Sequence, residues 1–476
     1  MHGSIAGGPV KAIGTPNVRY VLAVALVAAL GGLLFGYDWV VIGGAKPFYE
    51  QYFELHSAAL IGWANSCALL GCLIGSIFSG GMSDRFGRKR MLILAAVLFT
   101  ASSLLTGLAT TFVMFVVWRI AGGIAIGIAS NVSPIYIAEI SPAQWRGRLV
   151  ALNQLTIVVG ILAAQIANWL IADKVPVNAT AEFIRNSWNG QYGWRWMFAA
   201  VAIPSAIFFF CSLFLPESPR WLVGKGKEHD AKRFLVRVGG EIYADRALAE
   251  IEETAGRGRE SVVRISTLTR QPVFRALTIG VILAVLQQWS GINIIFNYAE
   301  EIYRRAGYGV NDILFNIVIT GSVNLLFTFV ALGFVDKIGR RPLMLWGCGG
   351  IGISHFLLGL AYQVGMTGLP VLVLTLFTIG CYAMSLAPIT WVLISEIFPN
   401  RVRGVAVSIS VSALWIASFL LTYTFPILSE AFGVAGIFWL YAAICFGGFF
   451  FIKFRVPETK GKTLEQIEHD LAAVLS

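Results

Sequence analysis

The chain has 476 residues, of which 57% are hydrophobic and only 13% charged, and its net charge is +10. Soluble domains carry about 25% charged residues, so the composition excludes a soluble globular protein and predicts a helical membrane protein. The positive charge lies in a few loops, which is typical of cytoplasmic loops rather than of a nucleic-acid-binding surface. All six cysteines lie within apolar stretches, so neither a disulfide framework nor a metal site is predicted.

Twelve apolar stretches are each long enough to cross a bilayer as a helix. The predicted spans are 20–43, 57–80, 91–111, 113–138, 148–172, 195–215, 274–300, 312–334, 342–363, 369–394, 404–428 and 433–454. Together they predict an all-α membrane protein with both chain ends on one side. The arginine and lysine clusters follow every second span, so we expect both termini in the cytoplasm.

A short acidic and basic motif occurs twice in the chain, and two further motifs repeat in the same order. The pairs are 84–90 with 336–341, Glu139 and Arg146 with Glu396 and Arg403, and 216–218 with 457–459. The repeats indicate two related halves, which in a membrane chain are typical of a transporter with a site between the halves.

The repeats and the spans together predict five segments. These are a cytoplasmic N-terminal tail at 1–19, a six-helix bundle at 20–216, a cytoplasmic interdomain segment at 217–272, a second six-helix bundle at 273–455 and a cytoplasmic C-terminal tail at 456–476. In the interdomain segment, charged and apolar residues at helical spacing predict helices at 229–238 and 242–255. The alternative is a solvated linker.

Two ionisable residues, Asp38 in span 1 and Arg119 in span 4, lie at similar depths within the apolar stretches. Each costs roughly 2.5–3.5 kcal/mol to insert, so each needs a partner. A buried carboxylate is ionised beside an arginine and is protonated more readily when the arginine moves away. The pair is therefore either a proton switch coupled to conformation or a static ion pair that joins two helices.

Amide side chains cluster in span 7, where Gln287, Gln288 and Asn293 lie close together. Amides offer donors and acceptors without charge, which suits a neutral ligand with many hydroxyl groups. Gly291 there and Pro388 in span 10 are expected to break the helices and expose backbone groups to a cavity. The alternative is that the amides only bond neighbouring helices.

The motifs named so far resemble those of the sugar porters of the major facilitator superfamily, and the resemblance covers about 20–465. It rests on 36–38, 84–90, Arg119 with 122–123, Glu139 with 146–148, 216–220, 287–288 with Gly291 and Asn293, Asp336 with 339–341, 396–399 with 403–404, and 457–461. The resemblance implies two pseudo-symmetric six-helix bundles that rock around a central sugar. It also implies proton coupling, because an aspartate at position 38 marks the proton-coupled members.

The resemblance also assigns roles to single residues. Sugar contacts are implied for Gln154, Gln287, Gln288, Asn293, Asn324 and Trp391, and an outer gate for Tyr298. Asn297, at the gate, stands where the family often has a tyrosine. Ile161 and Leu414, with the neighbouring Trp415, bring apolar groups to positions around the pocket, which leaves the identity of the sugar open.

The repeated loop motifs predict a cytoplasmic latch, in which arginines bond helix ends and acids in one conformation and release them in another. Its predicted members are Asp84, Arg85, Arg88, Glu139, Arg146, Arg148, Glu217, Arg220, Asp336, Arg340, Arg341, Glu396 and Arg403. The alternative is charge that only orients the protein in the membrane. That alternative explains the arginines but not the acids at fixed offsets.

These patterns predict a secondary active transporter that imports a monosaccharide, such as D-xylose or D-glucose, by proton symport. The alternatives are a facilitative uniporter and, more remotely, a transporter-like sugar sensor. No Ser/His/Asp or metal-spaced set occurs in the spans, so an enzyme is not expected. We expect a monomer in the lipid bilayer of a bacterial inner membrane, with no cofactor besides the proton.

Overall fold

The computed structural model describes residues 17–176, 179–258, 273–398, 402–460, 462 and 466. Within these residues the secondary structure is helical and no strand occurs. Parts of three predicted segments lie outside the described residues. They are 1–16 of the N-terminal tail, 259–272 of the interdomain segment and most of the C-terminal tail after residue 460.

The described residues of the N-terminal half and of the segment after it form ten α-helices and one π-helical turn. They are α1 Val18–Tyr52, α2 Ala58–Phe86, α3 Arg88–Gly107, α4 Phe112–Ile140, α5 Arg146–Ile171, α6 Ala181–Asn186, the π turn Asn189–Gly193, α7 Trp194–Ala199, α8 Ala202–Leu213, α9 Pro219–Gly224 and α10 Glu228–Gly258. The π turn, α7 and α8 together form one continuous apolar span, Asn189–Leu213.

The described part of the C-terminal half contains eight helices. They are α11 Val273–Trp289, α12 Ile292–Asn297, α13 Ala299–Arg305, α14 Val310–Ile338, α15 Arg340–Gln363, α16 Leu369–Met384, α17 Leu386–Glu396 and α18 Arg403–Arg455. Two membrane spans are made of paired helices, Val273–Asn297 and Leu369–Ile394.

Eleven helical stretches of the described chain are long and apolar enough to cross a membrane. The last of them, α18, has 53 residues and is broken at Gly433, where φ is +67°. An unbroken helix of that length would extend about 80 Å, far beyond a hydrocarbon core of about 30 Å. Helix α18 therefore provides two spans, which brings the total to twelve and confirms the predicted fold class.

Two predicted spans are discontinuous, and one of the breaks is not where the sequence indicated. Span 7 is broken at Gly291, whose φ of +83° is left-handed and whose added Cβ would lie 2.7 Å from the Tyr441 ring. Span 10 is broken at Ser385, so the prediction of Pro388 was wrong. Pro388 lies in the first turn of α17, where its missing N–H costs no intrahelical hydrogen bond.

Helices α2 and α4 cross at unusually short range because glycines face each other. A Cβ added at Gly123 would lie 1.9 Å from the carbonyl oxygen of Ala68, and one at Gly71 would lie 2.1 Å from that of Ile120. Small residues that allow such close approach are the usual contact of membrane helices.

We expect Gly123→Ala to destabilise the protein by ~1–3 kcal/mol, because the new methyl group overlaps a backbone atom that a rotamer change cannot move. The measurement is the thermal unfolding midpoint in detergent. The matched control is Gly81→Ala, whose Cβ meets no atom within 4 Å. Equal midpoints for the two variants would contradict the packing described for α2 and α4.

The two halves touch at their outer ends, defined as the ends away from the 84–90 and 336–341 motifs. In α1, a Cβ at Gly43 would lie 2.4 Å from the Phe296 carbonyl oxygen. In α2, a Cβ at Gly62 would lie 2.3 Å from the Tyr423 carbonyl oxygen. The outer side of the central site is therefore closed in this structure.

The interdomain segment packs on the N-terminal bundle. Helix α10 is divided at Gly240, where φ is +82°, into parts that match the predicted helices. Its Phe234 and Val238 are buried, and the Phe234 ring lies 6.1 Å from the Tyr20 ring of α1. The described part of this segment is thus not a solvated linker.

Candidate functional site

Asp38 of α1 and Arg119 of α4 form a buried ion pair inside the N-terminal bundle. Arg119 Nη1 donates to Asp38 Oδ1 at 3.0 Å, and Asp38 and Arg119 are 2% and 3% exposed. The guanidinium also donates to the backbone oxygen of Asp38 from Nη1 and Nη2, at 3.3 and 3.4 Å. The central carbon of the guanidinium lies over the Phe198 ring, 5.2 Å from the ring centre.

Only one oxygen of the Asp38 carboxylate is engaged. Asp38 Oδ2 is buried and has no hydrogen-bond partner in the described chain. Gly122 leaves room beside it, since an added Cβ would lie 3.2 Å from Oδ2. Asp38 Oδ2 is therefore able to accept a proton while Arg119 still donates to the backbone oxygen of Asp38.

The amides of span 7 form a connected network. Gln288 Nε2 donates to Gln287 Oε1 at 3.1 Å, and Asn293 Nδ2 donates to Gln288 Oε1 and, at 3.1 Å, to Ser418 Oγ. Gln287 Nε2 reaches the carbonyl oxygens of Leu386 and its neighbour at the break in span 10, at 3.3 and 3.4 Å. The network therefore joins three spans of the C-terminal bundle at the two places where helices are interrupted.

The other predicted sugar-contact residues do not belong to this network. Gln154 lies half-buried on α5 of the N-terminal bundle, Asn324 is buried on α14, and Trp391 is half-buried on α17. None of their side chains hydrogen-bonds to the span 7 amides within the described residues. They lie on both bundles, as the faces of a site between the halves would.

Tyr298, the predicted gate residue, is fully buried at the outer end. Its hydroxyl donates to the Thr422 backbone oxygen at 2.7 Å, and its ring lies 4.5 Å from the Phe425 ring. The neighbouring Asn297 is 1% exposed, and its Oδ1 has no hydrogen-bond partner among the described residues. Both residues belong to the closed outer side.

The three apolar residues predicted around the pocket are all buried. Ile161 is 5% exposed, Leu414 is 2% and Trp415 is 3%. The Trp415 ring lies 6.0 Å from the ring of Phe35 on α1, so Trp415 lies where the halves meet. The Trp415 indole N–H has no hydrogen-bond partner in the described chain.

At the end of the N-terminal bundle that carries the 84–90 motif, Arg88 binds three acids. It contacts Glu139 through two nitrogens at 3.0 Å each and Asp84 at 2.9 Å. Glu217 Oε1 accepts the backbone N–H groups of Arg88 and Lys89, at 2.9 and 3.2 Å. The acid thus caps the first turn of α3.

The C-terminal bundle repeats this arrangement with its own residues. Arg340 Nη2 contacts Glu396 Oε1 at 3.1 Å. Glu458 accepts the backbone N–H groups of Arg340 and Arg341 at 3.0 Å each, as Glu217 does in the first half. Glu458 was not among the predicted latch residues, although the repeat of 216–218 at 457–459 identifies it.

The contacts seen for Arg146, Arg403 and Arg85 among the described residues are local. Arg146 Nε donates to the Ala138 carbonyl oxygen at 3.0 Å, and Arg403 donates to that of Phe398. Arg85 lies over the Phe86 ring, and Arg148 and Arg220 are exposed. The Asp336 side chain lies outside the described part of the chain. Among the described side chains, each ion pair of the motif residues lies within one half.

A family model described as "Sugar (and other) transporter" matches residues 24–471. The chain belongs to this sugar transporter family. The predicted resemblance and the prediction of a transporter rather than an enzyme are thereby confirmed.

Curated relatives of this sugar transporter match nearly its whole length. A glucose transport protein of Synechocystis sp. is 40% identical over 465 residues, which is 95% of this chain and 98% of that protein. The D-xylose–proton symporter of Escherichia coli K12 is 38% identical, over 95% and 96% of the two chains. The arabinose–proton symporter of Bacillus subtilis is 37% identical, over 95% of each.

Solved structures support the same fold. A partially occluded inward-open structure of the xylose transporter XylE from E. coli matches with a TM-score of 0.82 and 36% identity, over 94% of this chain and all of that one. XylE bound to 6-bromo-6-deoxy-D-glucose matches with a TM-score of 0.80 and 37% identity, over 96% and 100%. The transporter therefore has the twelve-helix major facilitator fold.

We expect Glu217→Ala and Glu458→Ala each to lower the stability of the transporter by ~0.5–2 kcal/mol, because each leaves two N–H groups of a helix start without their acceptor. Unfolding midpoints in detergent measure the effect. Glu252→Ala, at an exposed position of α10, is the control. If all three variants had the same unfolding midpoint, the capping role of the two acids would be wrong.

A group of buried charges at the outer end was missed by the sequence reasoning. Lys46 of α1 contacts Glu50, Glu300 and Glu301. The prediction ended span 1 at residue 43, whereas α1 continues to Tyr52. The signal that was available is the spacing of Lys46 and Glu50, four residues apart on one helix face.

Proposed function

We propose that this sugar transporter imports a monosaccharide together with a proton. The observation that carries the proposal is the Asp38–Arg119 ion pair, buried within the bundle at 3.0 Å with one carboxylate oxygen unpartnered. An intramembrane charge is costly and usually functional. The names of the relatives from E. coli and B. subtilis, which are D-xylose–proton and arabinose–proton symporters, support the same conclusion.

The substrate we propose is a hexose or pentose such as D-xylose or D-glucose. The linked amides of Gln287, Gln288 and Asn293 supply neutral donors and acceptors for hydroxyl groups. The half-buried Trp391 supplies an aromatic face, and Gln154 supplies an amide from the other bundle. The relatives named for glucose, xylose and arabinose support this substrate class.

The transport cycle follows from these two sites. Sugar binds first to the amides of the C-terminal bundle. A proton from outside then binds Asp38 Oδ2, which weakens the attraction between the carboxyl group and Arg119. The bundles rock so that the outer side closes and the cytoplasmic side opens, and sugar and proton leave inside. In this cycle the cytoplasmic motif clusters act as the latch.

A facilitative uniporter is the second candidate. Arg119 donates to the backbone oxygen of Asp38 as well as to its carboxylate, and a purely structural ion pair would do the same. The apolar Ile161 near the site also fits a glucose carrier. A uniporter would equilibrate sugar without responding to a proton gradient.

We further propose that the transporter works as a monomer in a bacterial inner membrane, with both termini in the cytoplasm. The arginine and lysine clusters of 84–90 and 336–341 fit the cytoplasmic side. The proton is the coupling ion, and the function we propose uses no other cofactor and no nucleic acid.

Uptake of labelled D-xylose and D-glucose into proteoliposomes tests the proposal. We expect accumulation above equilibrium for one of the sugars under an inward proton gradient, and collapse of the accumulation when a protonophore is added. Equilibration that is independent of the gradient would establish the uniporter instead.

A further inference from the structure

Three carboxylates and one ammonium group are buried together where the outer ends of the halves meet. Lys46 Nζ lies 3.2 Å from Glu300 Oε2, 3.4 Å from Glu50 Oε1 and 4.0 Å from Glu301 Oε2. The Lys46 side chain is 3% exposed and that of Glu300 is 7% exposed. Lys46 and Glu50 belong to the N-terminal bundle, and Glu300 and Glu301 belong to the C-terminal one.

Lys46 also contacts the predicted gate residue. Its ammonium group lies 5.6 Å from the centre of the Tyr298 ring. Tyr298 is itself fixed to the C-terminal bundle by its hydroxyl and by its packing on Phe425. The lysine therefore reaches across the interface to two groups of the opposite half, one anionic and one aromatic.

Each of the four charges has an ion-pair partner within its own bundle. Glu50 is one helical turn from Lys46 on α1. Arg304 contacts Glu300 and Arg305 contacts Glu301, each at 3.2 Å, and both arginines are partly exposed. When the bundles separate, Lys46 and Glu300 enter water and each keeps one ion pair. Separation therefore leaves no charge both buried and unpaired, which is the costly outcome for such pairs.

We propose that Lys46 is the locking residue of the outer gate and that its ion pair with Glu300 holds the two bundles closed on that side. This inference rests on the proposed alternating access of the transporter. The pair forms when the outer side closes and breaks each time that side opens. Lys46 thereby sets how often the sugar site faces outwards.

The test is a distance measurement between spin labels at His56 and Thr367, which lie in exposed outer loops of the two halves. The protein carries alanine at its six native cysteines and is studied without sugar and without a gradient. We expect Lys46→Met to raise the ratio of long to short distances roughly tenfold. A change of that size corresponds to the loss of an interaction energy that is usual for two contacting residues. Glu300→Gln should act in the same direction, and the double variant should add little to either change.

Two control variants distinguish loss of the Lys46–Glu300 ion pair from a general loss of structure. Lys46→Arg keeps the charge and should keep the parental distances. Arg185→Gln removes an exposed ion pair with Glu54 inside the N-terminal half and should also leave the distances unchanged. Parental distances in both Lys46→Met and Glu300→Gln would overturn the proposal, as would an equal shift in Arg185→Gln. Because neither sugar nor protons are involved, the result stands even if the transporter is a uniporter.

Discussion

We expect Asp38→Asn to abolish accumulation of sugar above equilibrium and to preserve exchange of sugar across the membrane. Asparagine keeps the shape of the side chain and can still accept a hydrogen bond from Arg119, but it cannot bind and release a proton. The expected accumulation ratio therefore falls to one, while counterflow of labelled sugar continues.

The measurement is paired uptake and counterflow in the same proteoliposomes. Asp312→Asn is the matched control, because Asp312 lies exposed in the first turn of α14, away from the buried pair. That control should accumulate sugar as the parent does. Full uphill uptake by Asp38→Asn would show that the Asp38–Arg119 pair is structural.

Asn293→Ala should weaken sugar binding by about tenfold to a hundredfold, a loss on the order of 1–3 kcal/mol. Asn293 joins the amide of Gln288 to the hydroxyl of Ser418, and its removal takes away a donor and disorders its neighbours. Binding of D-xylose and D-glucose, measured by calorimetry or fluorescence in detergent, tests the prediction.

Asn131→Ala provides the matched control for this loss. Asn131 is also an intramembrane amide, but its Nδ2 donates within the N-terminal bundle, to the Ser76 carbonyl oxygen and to Ser79 Oγ. Its removal should lower thermal stability and leave sugar affinity near the parental value. Equal affinities for the two variants would mean that the span 7 amides only bond helices to one another.

Hydropathy and the internal repeats were sufficient to predict the twelve spans. Both signals can be read without knowing the tertiary contacts. A bilayer demands about 20 apolar residues for each helix, and the repeats are found by aligning one half of the chain with the other. The repeat also contained information that the prediction of the latch residues did not use. The repeat of 216–218 at 457–459 matched Glu217 to Glu458, but only Glu217 was predicted as a latch residue, and both acids cap equivalent helix starts.

The positions of helix breaks were harder to predict, because a break depends on what surrounds the backbone. Pro388 looked like a helix breaker, but it lies in a first turn, where proline is tolerated. Gly291 is required for a different reason, since Tyr441 and His355 from other spans occupy the space that a side chain would fill.

The buried charges at the outer gate were beyond the sequence reasoning because their partners are far apart in the chain. Lys46 and Glu300 are separated by 254 residues. Lys46 lies just beyond predicted span 1 and Glu300 lies at the end of predicted span 7, where a charge is unremarkable. Only the contact between the bundles buries both. The amide network was hard to predict for the same reason, because Asn293 and Ser418 are far apart in the chain and meet only when spans 7 and 11 pack.

The most direct test of the account is proton movement driven by sugar alone. Proteoliposomes that contain a pH-sensitive dye receive D-xylose or D-glucose outside, with no imposed proton gradient. We expect acidification of the lumen by the parent protein and none by Asp38→Asn, with exchange of labelled sugar by both. Sugar entry by the parent protein with no change in internal pH would contradict symport and identify the protein as a uniporter.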